Sequence, residues 1–367
     1  MNKLELDTPC LVLDLDILEQ NIQKMQAMVS RAGKQLRPHA KTHKCSSLVR
    51  MQMEAGAIGV CVAKLSEAEA LVKAGLKDIL ITSPVATSYK IERLVGLVTK
   101  CPSLMVVVDH PGNVALLNER LGASGVSLGV LIDIDVGMHR TGVKPVNAMA
   151  LANKIVACPN LRLLGVQAYA GQVQHIRSYA ARRDASHQCL QAAAEVFREL
   201  RTSVPGCTVF STSGTGTFDI DIEIDEITEL QTGSYVLMDT EYLDIGSATN
   251  EAQFAAFEPP LRLLTTVISA NHDAWVTVDA GLKSLYKDGG IPRTAGPVQS
   301  LLEYDWFGDE FGMIKTTEKS PLPSSGTVLE LLVSHCDPTV NLFNDYYLTR
   351  GDKVVGSWPI DLRGCSQ

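Results

Sequence analysis

Two segments of the chain have the composition of phosphate-binding loops. Residues 211–217 read Ser-Thr-Ser-Gly-Thr-Gly-Thr, and residues 231–235 read Gln-Thr-Gly-Ser-Tyr. Glycine lets backbone N–H groups approach an anion closely, and hydroxyl groups add further hydrogen-bond donors. Similar segments also form ordinary turns, so either one alone is weak evidence for a phosphate site.

A lysine and an arginine lie in two further polar runs. Lys41 stands in Arg-Pro-His-Ala-Lys-Thr-His-Lys at 37–44, and Arg140 stands in Gly-Met-His-Arg-Thr-Gly at 137–142. A single lysine is more often a solvated charge than a covalent catalyst. Beside phosphate-binding segments, however, it completes the requirements of pyridoxal phosphate, which needs an imine-forming amine at one end and an anion site at the other.

A histidine and a carboxylate two residues apart have the chemistry of divalent-metal ligands. We predict a strand over Thr327–His335, so that His335 and Asp337 project to one face and Cys336 to the other. Two ligands leave several positions for water or substrate, which suits Mn²⁺, Mg²⁺ or Zn²⁺ acting as a Lewis acid. Taken alone, such a pair is more often an ordinary hydrogen-bonded pair.

The elements that must position these residues alternate between short β-branched runs and segments of helical periodicity. Eight such strands predict a (β/α)8 barrel rather than an open sheet. In a barrel of this kind the active site lies at the C-terminal ends of the strands, where the polar runs begin. The predicted strands are Gln35–Arg37, Ala57–Val62, Asp78–Thr82, Leu104–Val108, Ser127–Ile134, Arg162–Tyr169, Cys207–Ser211 and Ile227–Gln231.

The sequence changes character after Glu258-Pro259-Pro260. Strand-like runs follow without long helical segments between them, which predicts a C-terminal antiparallel β-domain. We place the barrel at residues 16–256 and the β-domain at 257–367, with residues 1–15 added to it. The stretch Lys283–Ser325 is rich in Gly and Pro and is predicted to form long loops.

Composition and charge exclude several classes of protein. With 367 residues, 46% of them hydrophobic and 20% charged, the chain is too long for a disulfide-stapled module and too apolar for a disordered protein. A net charge of −8 without basic clusters argues against nucleic acid as a partner. We find no signal peptide and no membrane span, and nine scattered cysteines fit reduced thiols, so we expect a cytoplasmic protein.

Three motifs together resemble a known enzyme family. They are the run at 37–44, the run at 137–142 and Ser-His-Cys-Asp-Pro-Thr-Val-Asn at 334–341. This combination is similar to the D-threonine aldolase and D-serine dehydratase group of fold-type III pyridoxal-phosphate enzymes, and the resemblance covers nearly the whole chain. It implies an alanine-racemase-like barrel followed by a β-domain, with the active site at the barrel mouth, and it implies a homodimer.

The resemblance also implies roles for individual residues. Lys41 would bond covalently to the cofactor, Arg140 would contact its 3-hydroxyl side, and Tyr169 would lie near the pyridine nitrogen. His335 and Asp337 would bind the metal, which reverses the expectation for such a pair taken alone. The residues that match the family's phosphate-binding regions are Thr212, Ser213, Gly214, Thr215, Gly233, Ser234 and Tyr235.

Three further histidines lie close to these motifs. His175 follows Tyr169 by six residues and is our candidate general base for the substrate hydroxyl, although a surface loop histidine is nearly as good an interpretation. His39 and His43 lie on either side of Lys41, and we interpret them as groups that orient the lysine or the pyridine ring. Pro38 argues against a regular helix that would make them a metal pair.

Asp337 favours one branch of the family. The dehydratase branch typically has His-x-Cys where the aldolase branch has His-x-Asp, and this chain has the aspartate. We therefore predict that a D-β-hydroxy-α-amino acid such as D-threonine replaces Lys41 on the cofactor. The metal, for which we predict Mn²⁺, acidifies the β-hydroxyl group, and cleavage of Cα–Cβ releases an aldehyde and glycine.

Three other functions share parts of this pattern. A dehydratase acting on D-serine or a D-threo-3-hydroxyaspartate-like substrate would use the same lysine and metal but release ammonia and a keto acid. An amino-acid racemase would need a second catalytic base from the β-domain, where the sequence has a metal-like pair instead. A non-catalytic pyridoxal-phosphate carrier resembles the barrel alone, so a β-domain of about 100 residues argues against it.

Overall fold

The computed structural model describes residues 1–296, 301–316 and 321–367, which divide into two compact units. The barrel unit consists of Lys24–Lys41, Leu48–Gly233 and Gly364–Gln367. The β unit consists of Met1–Gln23, Thr42–Ser47 and Ser234–Arg363.

A curled sheet of eight parallel strands forms the centre of the barrel unit. Its strands are β2 (Gln35–Leu36), β3 (Val60–Val62), β4 (Ile79–Ile81), β5 (Met105–Val108), β6 (Leu128–Asp133), β7 (Leu161–Ala168), β8 (Val209–Thr212) and β9 (Glu229–Leu230). The order β2-β9-β8-β7-β6-β5-β4-β3 places the first strand beside the last, and a parallel bridge between His39 and Cys61 joins the two ends of the sheet. The predicted barrel architecture is confirmed.

Continuous apolar runs explain why these segments form parallel strands. Every residue of β3, β4, β5 and β6 is buried, as expected where a sheet is covered on both faces. Gly165 has a φ of +150°, and a Cβ there would lie 1.8 Å from the Val209 carbonyl oxygen, so only glycine fits. Apolar side chains from these strands pack together in a cluster, namely Cys61, Leu80, Met105, Val107 and Leu131 with Leu164 and Val209.

Helices lie between the strands, as the periodicity predicts. Several begin with a recognisable cap, such as Thr87, whose side chain accepts from the Lys90 N–H, and Ser178, whose side chain accepts from the Ala181 N–H. The helices are α1 (Leu15–Arg31), α2 (Ser46–Glu54), α3 (Leu65–Lys73), α4 (Ser88–Lys100), α5 (Pro111–Ala123), α6 (Pro145–Val156), α7 (Tyr179–Ser203), α8 (Phe218–Asp221), α9 (Thr240–Leu243) and α10 (Cys336–Val340). None of the helices within the described ranges is long and apolar enough to cross a membrane.

A nine-stranded sheet forms the β unit. Its strands are β1 (Cys10–Asp14), β10 (Leu261–Ser269), β11 (Trp275–Val278), β12 (Arg293–Thr294), β13 (Leu302–Trp306), β14 (Gly312–Thr316), β15 (Val328–Leu332), β16 (Asp345–Arg350) and β17 (Lys353–Pro359). The order is β11-β14-β13-β12-β15-β10-β1-β16-β17, and a further pairing of β11 with β10 curls six of them into a barrel-like sheet. All pairs are antiparallel except β1 with β16, so the predicted β-domain is confirmed.

Two predictions about this unit are wrong. The stretch Lys283–Ser325 is not only loops, because it contains β12, β13 and β14; residues 297–300 and 317–320 of it lie outside the described residues. The predicted strand over Thr327–His335 ends at Leu332, and α10 follows it. The two faces that we assigned to His335, Cys336 and Asp337 therefore do not exist.

Candidate active site

The lysine segment continues from β2 at the mouth of the barrel. The backbone N–H of Lys41 donates to His39 Nδ1 at 3.3 Å, and His39 Nε2 lies 3.1 Å from the Thr82 hydroxyl. That hydroxyl donates its proton to the Val62 carbonyl, so it accepts from the ring. These contacts fit a neutral His39 protonated at Nε2, which fixes the backbone that carries the lysine.

Tyr169 brings two cationic side chains together. Its ring lies 5.7 Å from Lys41 Nζ and 5.8 Å from the guanidinium carbon of Arg140, measured to the ring centroid. A pocket at the ends of β6 and β7 is lined by Arg140, Tyr169, Asp133, Gln167, Met138 and Thr141 among others. Three residues predicted from separate motifs therefore lie together, and the positive charges of Lys41 and Arg140 suit an anionic ligand.

Short hydrogen bonds hold the loop that carries Arg140. Asp135 accepts from the backbone N–H groups of Gly137 and His139, both at 3.0 Å, and from His139 Nδ1 at 2.8 Å. Burial raises the pKa of the Asp135 carboxyl, but these hydrogen bonds outweigh it and hold that pKa below its usual value. Gly142, with a φ of +100°, donates to Asp109 at 3.1 Å. Hydrogen bonds thus fix the loop on both sides of Arg140 in the sequence.

Sequence reasoning missed a buried polar network beneath the pocket. Gln167 donates to Asp133 at 2.9 Å and accepts from Gln231 at 3.0 Å, which also donates to Ser211 at 2.8 Å. Burial raises the pKa of Asp133, and the hydrogen bonds from Gln167 and Thr141 oppose this. The sequence signal for this network was a carboxylate and two amides inside otherwise apolar strands. Buried polar groups need hydrogen-bond partners, so these three residues could have been predicted to contact one another.

The first glycine-rich segment, 211–217, begins in the last two residues of β8 and continues as a buried loop. Ser213 has a positive φ of +81°, which side chains rarely adopt, and the Thr212 hydroxyl donates to the Ala168 carbonyl. In the second segment, Thr232 is fully buried and its hydroxyl has no hydrogen-bond partner among the described residues. Gly233 follows it, and Ser234 and Tyr235 begin a buried 3-10 helix of the β unit.

The structure places His175 on the exposed side of the loop after β7. It follows the short 3-10 helix Gly171–Val173, and the preceding residue, Gln174, is buried. Exposure leaves the imidazole accessible to solvent, whereas the backbone next to it is fixed by Gln174.

The predicted metal pair lies at the start of α10. His335 precedes the helix, and its Nδ1 lies 3.3 Å from an Asp288 carboxylate oxygen. Asp337 is in the first turn, where one carboxylate oxygen lies 3.5 Å from the Ser234 hydroxyl and 3.6 Å from the Cys336 thiol. The thiol is therefore beside the carboxylate, which corrects our prediction that the two point to opposite faces.

Asp239 holds the segment between the two candidate ligands. Its carboxylate accepts from the Cys336 N–H at 3.0 Å and from the Tyr242 N–H at 3.1 Å. Burial raises the pKa of Asp239 and also that of nearby Glu241. Within the described part of the chain, no group of three or more His, Cys, Asp or Glu side chains is arranged to bind a metal. A metal ion bound here would therefore have two protein ligands, His335 and Asp337, as the sequence predicts.

Comparison with known proteins identifies the family. Residues 13–241 match the model of the alanine racemase N-terminal domain, and residues 260–349 match that of the putative serine dehydratase domain. The chain is 37% identical to a D-threonine aldolase from Arthrobacter sp over 362 residues, covering 98% of this chain and 94% of that protein. The chain belongs to the D-threonine aldolase and D-serine dehydratase family.

Two further relatives support the aldolase branch of this family. A 3-hydroxy-D-aspartate aldolase from Paracoccus denitrificans is 35% identical over 367 residues, covering 99% of this chain and 94% of its own. The crystal structure of D-threonine aldolase from Filomicrobium marinum superposes with a TM-score of 0.94 at 33% identity, covering 99% of this chain and 97% of that one.

Dehydratases belong to the same family at lower identity. A D-threo-3-hydroxyaspartate dehydratase from Delftia sp. is 32% identical over 385 residues, covering 97% of each chain. The chain is thus a lyase of a pyridoxal-phosphate-dependent, fold-type III family, and aldolase activity is the better supported of the two. The predictions of family and enzyme class are confirmed.

The residues at the barrel mouth fit the cofactor that this family uses. The buried Thr232 hydroxyl without a partner among the described residues is a donor available to an anion, and burying it unpaired would otherwise cost free energy. Lys41 supplies the amine, and Arg140 adds a second cation at the same tyrosine ring. These groups therefore match the two ends of pyridoxal phosphate: an amine for its aldehyde, and a hydroxyl donor for its phosphate group.

Proposed function

We propose that this protein cleaves D-threonine and other D-β-hydroxy-α-amino acids into glycine and an aldehyde. The observation that carries the proposal is the meeting of Lys41, Arg140 and Tyr169 at the barrel mouth of a chain 37% identical to a D-threonine aldolase. When bound, pyridoxal phosphate supplies an electron sink for the electron pair that remains when Cα–Cβ breaks.

The barrel residues would bind and orient that cofactor. In our proposal Lys41 would hold the cofactor through its aldehyde carbon, Arg140 would contact its 3-hydroxyl side, and Tyr169 would lie near the pyridine nitrogen. Support comes from the positions of these side chains around one ring. The residues proposed for the phosphate group, on the resemblance of their motifs, are Thr212, Ser213, Gly214, Thr215, Gly233, Ser234 and Tyr235.

We further propose that His335 and Asp337 hold a divalent metal ion. A neutral imidazole nitrogen and a carboxylate oxygen suit Mn²⁺, and Mg²⁺ or Zn²⁺ are alternatives. As a Lewis acid the ion would lower the pKa of a bound hydroxyl group. Support comes from a solved dehydratase of the family whose structure is described as a mutant in the metal-free form, which implies a metal in that protein.

His175 is the proposed acceptor of the substrate's β-hydroxyl proton. An imidazole titrates near neutral pH, so it can take the proton as Cα–Cβ breaks. The accessible position of its side chain supports this role.

The first experiment is a product assay with the purified protein, pyridoxal phosphate, Mn²⁺ and D-threonine. We expect acetaldehyde and glycine from D-threonine but not from L-threonine, with loss of activity in EDTA and recovery on adding Mn²⁺. Formation of 2-oxobutyrate and ammonia would instead assign the protein to the dehydratase branch, which shares its family. Absence of both products with cofactor bound would contradict the proposed substrate class.

We also propose a cytoplasmic homodimer. The location is supported by nine cysteines, six of them buried as free thiols, which suits a reducing compartment. The dimer is supported by Phe307 and Phe311 at the tip of the β13–β14 hairpin, which are 49% and 44% exposed and are joined by a 2.9 Å backbone hydrogen bond. Neighbouring exposed apolar side chains of this kind indicate an interaction surface.

A further inference from the structure

Gln174 joins two loops of the barrel unit. Its side-chain oxygen accepts from the Gly216 N–H at 3.0 Å, and its nitrogen donates to the Ala170 carbonyl at 3.2 Å and to the Thr217 hydroxyl at 3.0 Å. Because a carbonyl group only accepts and an amide nitrogen only donates, these partners fix the orientation of the carboxamide. At 1% exposure, this one side chain links the loop after β7 to the glycine-rich segment 211–217.

The network continues into the body of the barrel unit. The Thr217 hydroxyl donates to one Asp221 carboxylate oxygen at 2.6 Å, and Ser186 donates to the other at 2.6 Å. Arg182, which is fully buried, donates to the Gly216 carbonyl at 2.7 Å. Ser186 and Arg182 lie on α7 and Asp221 on α8, so two helices anchor the segment. Buried networks of satisfied groups favour a single conformation.

Two glycines show how closely Gln174 packs against the segment. A Cβ on Gly214 would lie 2.4 Å from the Gln174 side-chain oxygen. A Cβ on Gly216 would lie 2.0 Å from the backbone oxygen of Gln174. Neither position has room for a side chain without moving Gln174. The packing of Gln174 therefore requires glycine at both positions, independently of any contact that they make with a ligand.

We propose that Gln174 is a positioning residue that holds segment 211–217 in the shape that binds the cofactor's phosphate group. It acts through the Gly216 N–H and the Thr217 hydroxyl, and it fixes the backbone next to His175 at the same time. The inference rests on the proposed function in taking pyridoxal phosphate as the cofactor and segment 211–217 as part of its phosphate site. Without Gln174, phosphate binding must also order the segment, and that cost weakens affinity.

Two related aldehydes separate this role from a general effect on folding. Pyridoxal and pyridoxal phosphate both react with a lysine amine, but only the second carries a phosphate group. We would titrate the cofactor-free protein with each and follow the absorbance change on imine formation. In Gln174→Met we expect the Kd for pyridoxal phosphate to rise about tenfold or more, with the Kd for pyridoxal changed less than about twofold.

Two further variants complete the test. Gln172→Met changes a glutamine of the same loop that contacts Val136 and Cys189, and we expect the ratio of the two Kd values to stay at its wild-type level. Thr217→Val removes the hydroxyl between Gln174 and Asp221 and should give a smaller loss with the same preference, which decides the matter if Gln174→Met does not fold.

The outcomes distinguish the inference from the proposed function. Equal weakening of both aldehydes, or no change in either, would overturn the role of Gln174 while leaving the aldolase proposal intact. Failure of the wild-type protein to bind pyridoxal phosphate would overturn both.

Discussion

Lys41 and Arg140 place two positive charges beside one tyrosine ring in a protein of net charge −8. Replacing Lys41 with Ala removes the only proposed covalent link to the cofactor. We expect aldolase turnover to fall by at least about a thousandfold and the imine absorbance to disappear. Lys73→Ala, on an exposed face of α3, is the matched control and should retain both. Imine absorbance in Lys41→Ala would show that another amine binds the cofactor.

His175 allows a prediction about proton transfer. His175→Ala should lower turnover by about 10²- to 10⁴-fold, because general bases contribute rate factors of that size, while the cofactor absorbance stays unchanged. The comparison is with His272→Ala, a histidine that stacks on Trp275 in the β unit and has no proposed role. Equal turnover in the two variants would remove His175 from the mechanism.

Individual residues were predictable from sequence where the fold class alone fixes their position. Side chains at the C-terminal ends of barrel strands converge, so the order of the motifs along the chain is enough to group Lys41, Arg140 and Tyr169. Gln174 could not be found this way, because its partner Gly216 is 42 residues away and the contact depends on the conformations of two loops.

At the scale of elements, the candidate metal ligands lie at the start of α10, with Asp337 in its first turn and His335 directly before it, and this segment depends on Asp239 for its position. Asp239→Asn keeps one acceptor oxygen but sets an NH₂ group against a backbone N–H, so the turn between His335 and Asp337 should shift. We expect Mn²⁺ affinity to fall by about 10- to 100-fold, with cofactor absorbance unchanged. Calorimetric titration of Asp273→Asn, an exposed site in the same unit, provides the control. Wild-type affinity in Asp239→Asn would contradict this dependence.

The short helix α8 gives a prediction about pH. Burial raises the pKa of Asp219 to about 6, and one of its oxygens has no hydrogen-bond partner in the described structure. The folded protein holds the Asp219 proton more tightly than the unfolded chain does. The stability lost by ionising Asp219 therefore grows as pH rises from about 4 to 6 and reaches its full value above that range.

Asp219→Asn should therefore stabilise the protein by up to about 3 kcal/mol at pH 7.5 and by about 1 kcal/mol at pH 4.5. Urea unfolding at both values measures the difference. Asp225→Asn, an exposed carboxylate nearby, should show no such pH dependence. A gain that is the same at both pH values would contradict a titrating Asp219.

The elements of the barrel were better predicted than those of the β unit, for physical reasons. Buried parallel strands read as continuous apolar runs, which leave little ambiguity. In contrast, the run ending at Val333 resembles a strand that continues to His335, although Asp337 and Pro338 in the next turn are helix-start residues. In β13 the buried Leu302 and Tyr304 alternate with exposed residues, so this strand was detectable within the Gly- and Pro-rich stretch.

For the whole molecule, the exposed phenylalanines predict an assembly. We expect a particle of about twice 39.7 kDa by light scattering, and we expect Phe311→Asp to shift it toward the monomer by burying a charge in an apolar contact. Tyr89→Asp, at a 71% exposed aromatic residue on α4, should leave the mass unchanged. A wild-type monomer at micromolar concentration would contradict the homodimer.

The place of β1 in its sheet has a consequence for how the protein is made. Residues Cys10–Asp14 pair with Leu261–Leu264 on one side and with Tyr346–Thr349 on the other, so both partners leave the ribosome long after them. Contacts between residues so far apart in the sequence form slowly during folding. Throughout most of synthesis this buried, apolar strand has no native partner, which makes the nascent chain a candidate for chaperone binding until its last strands emerge.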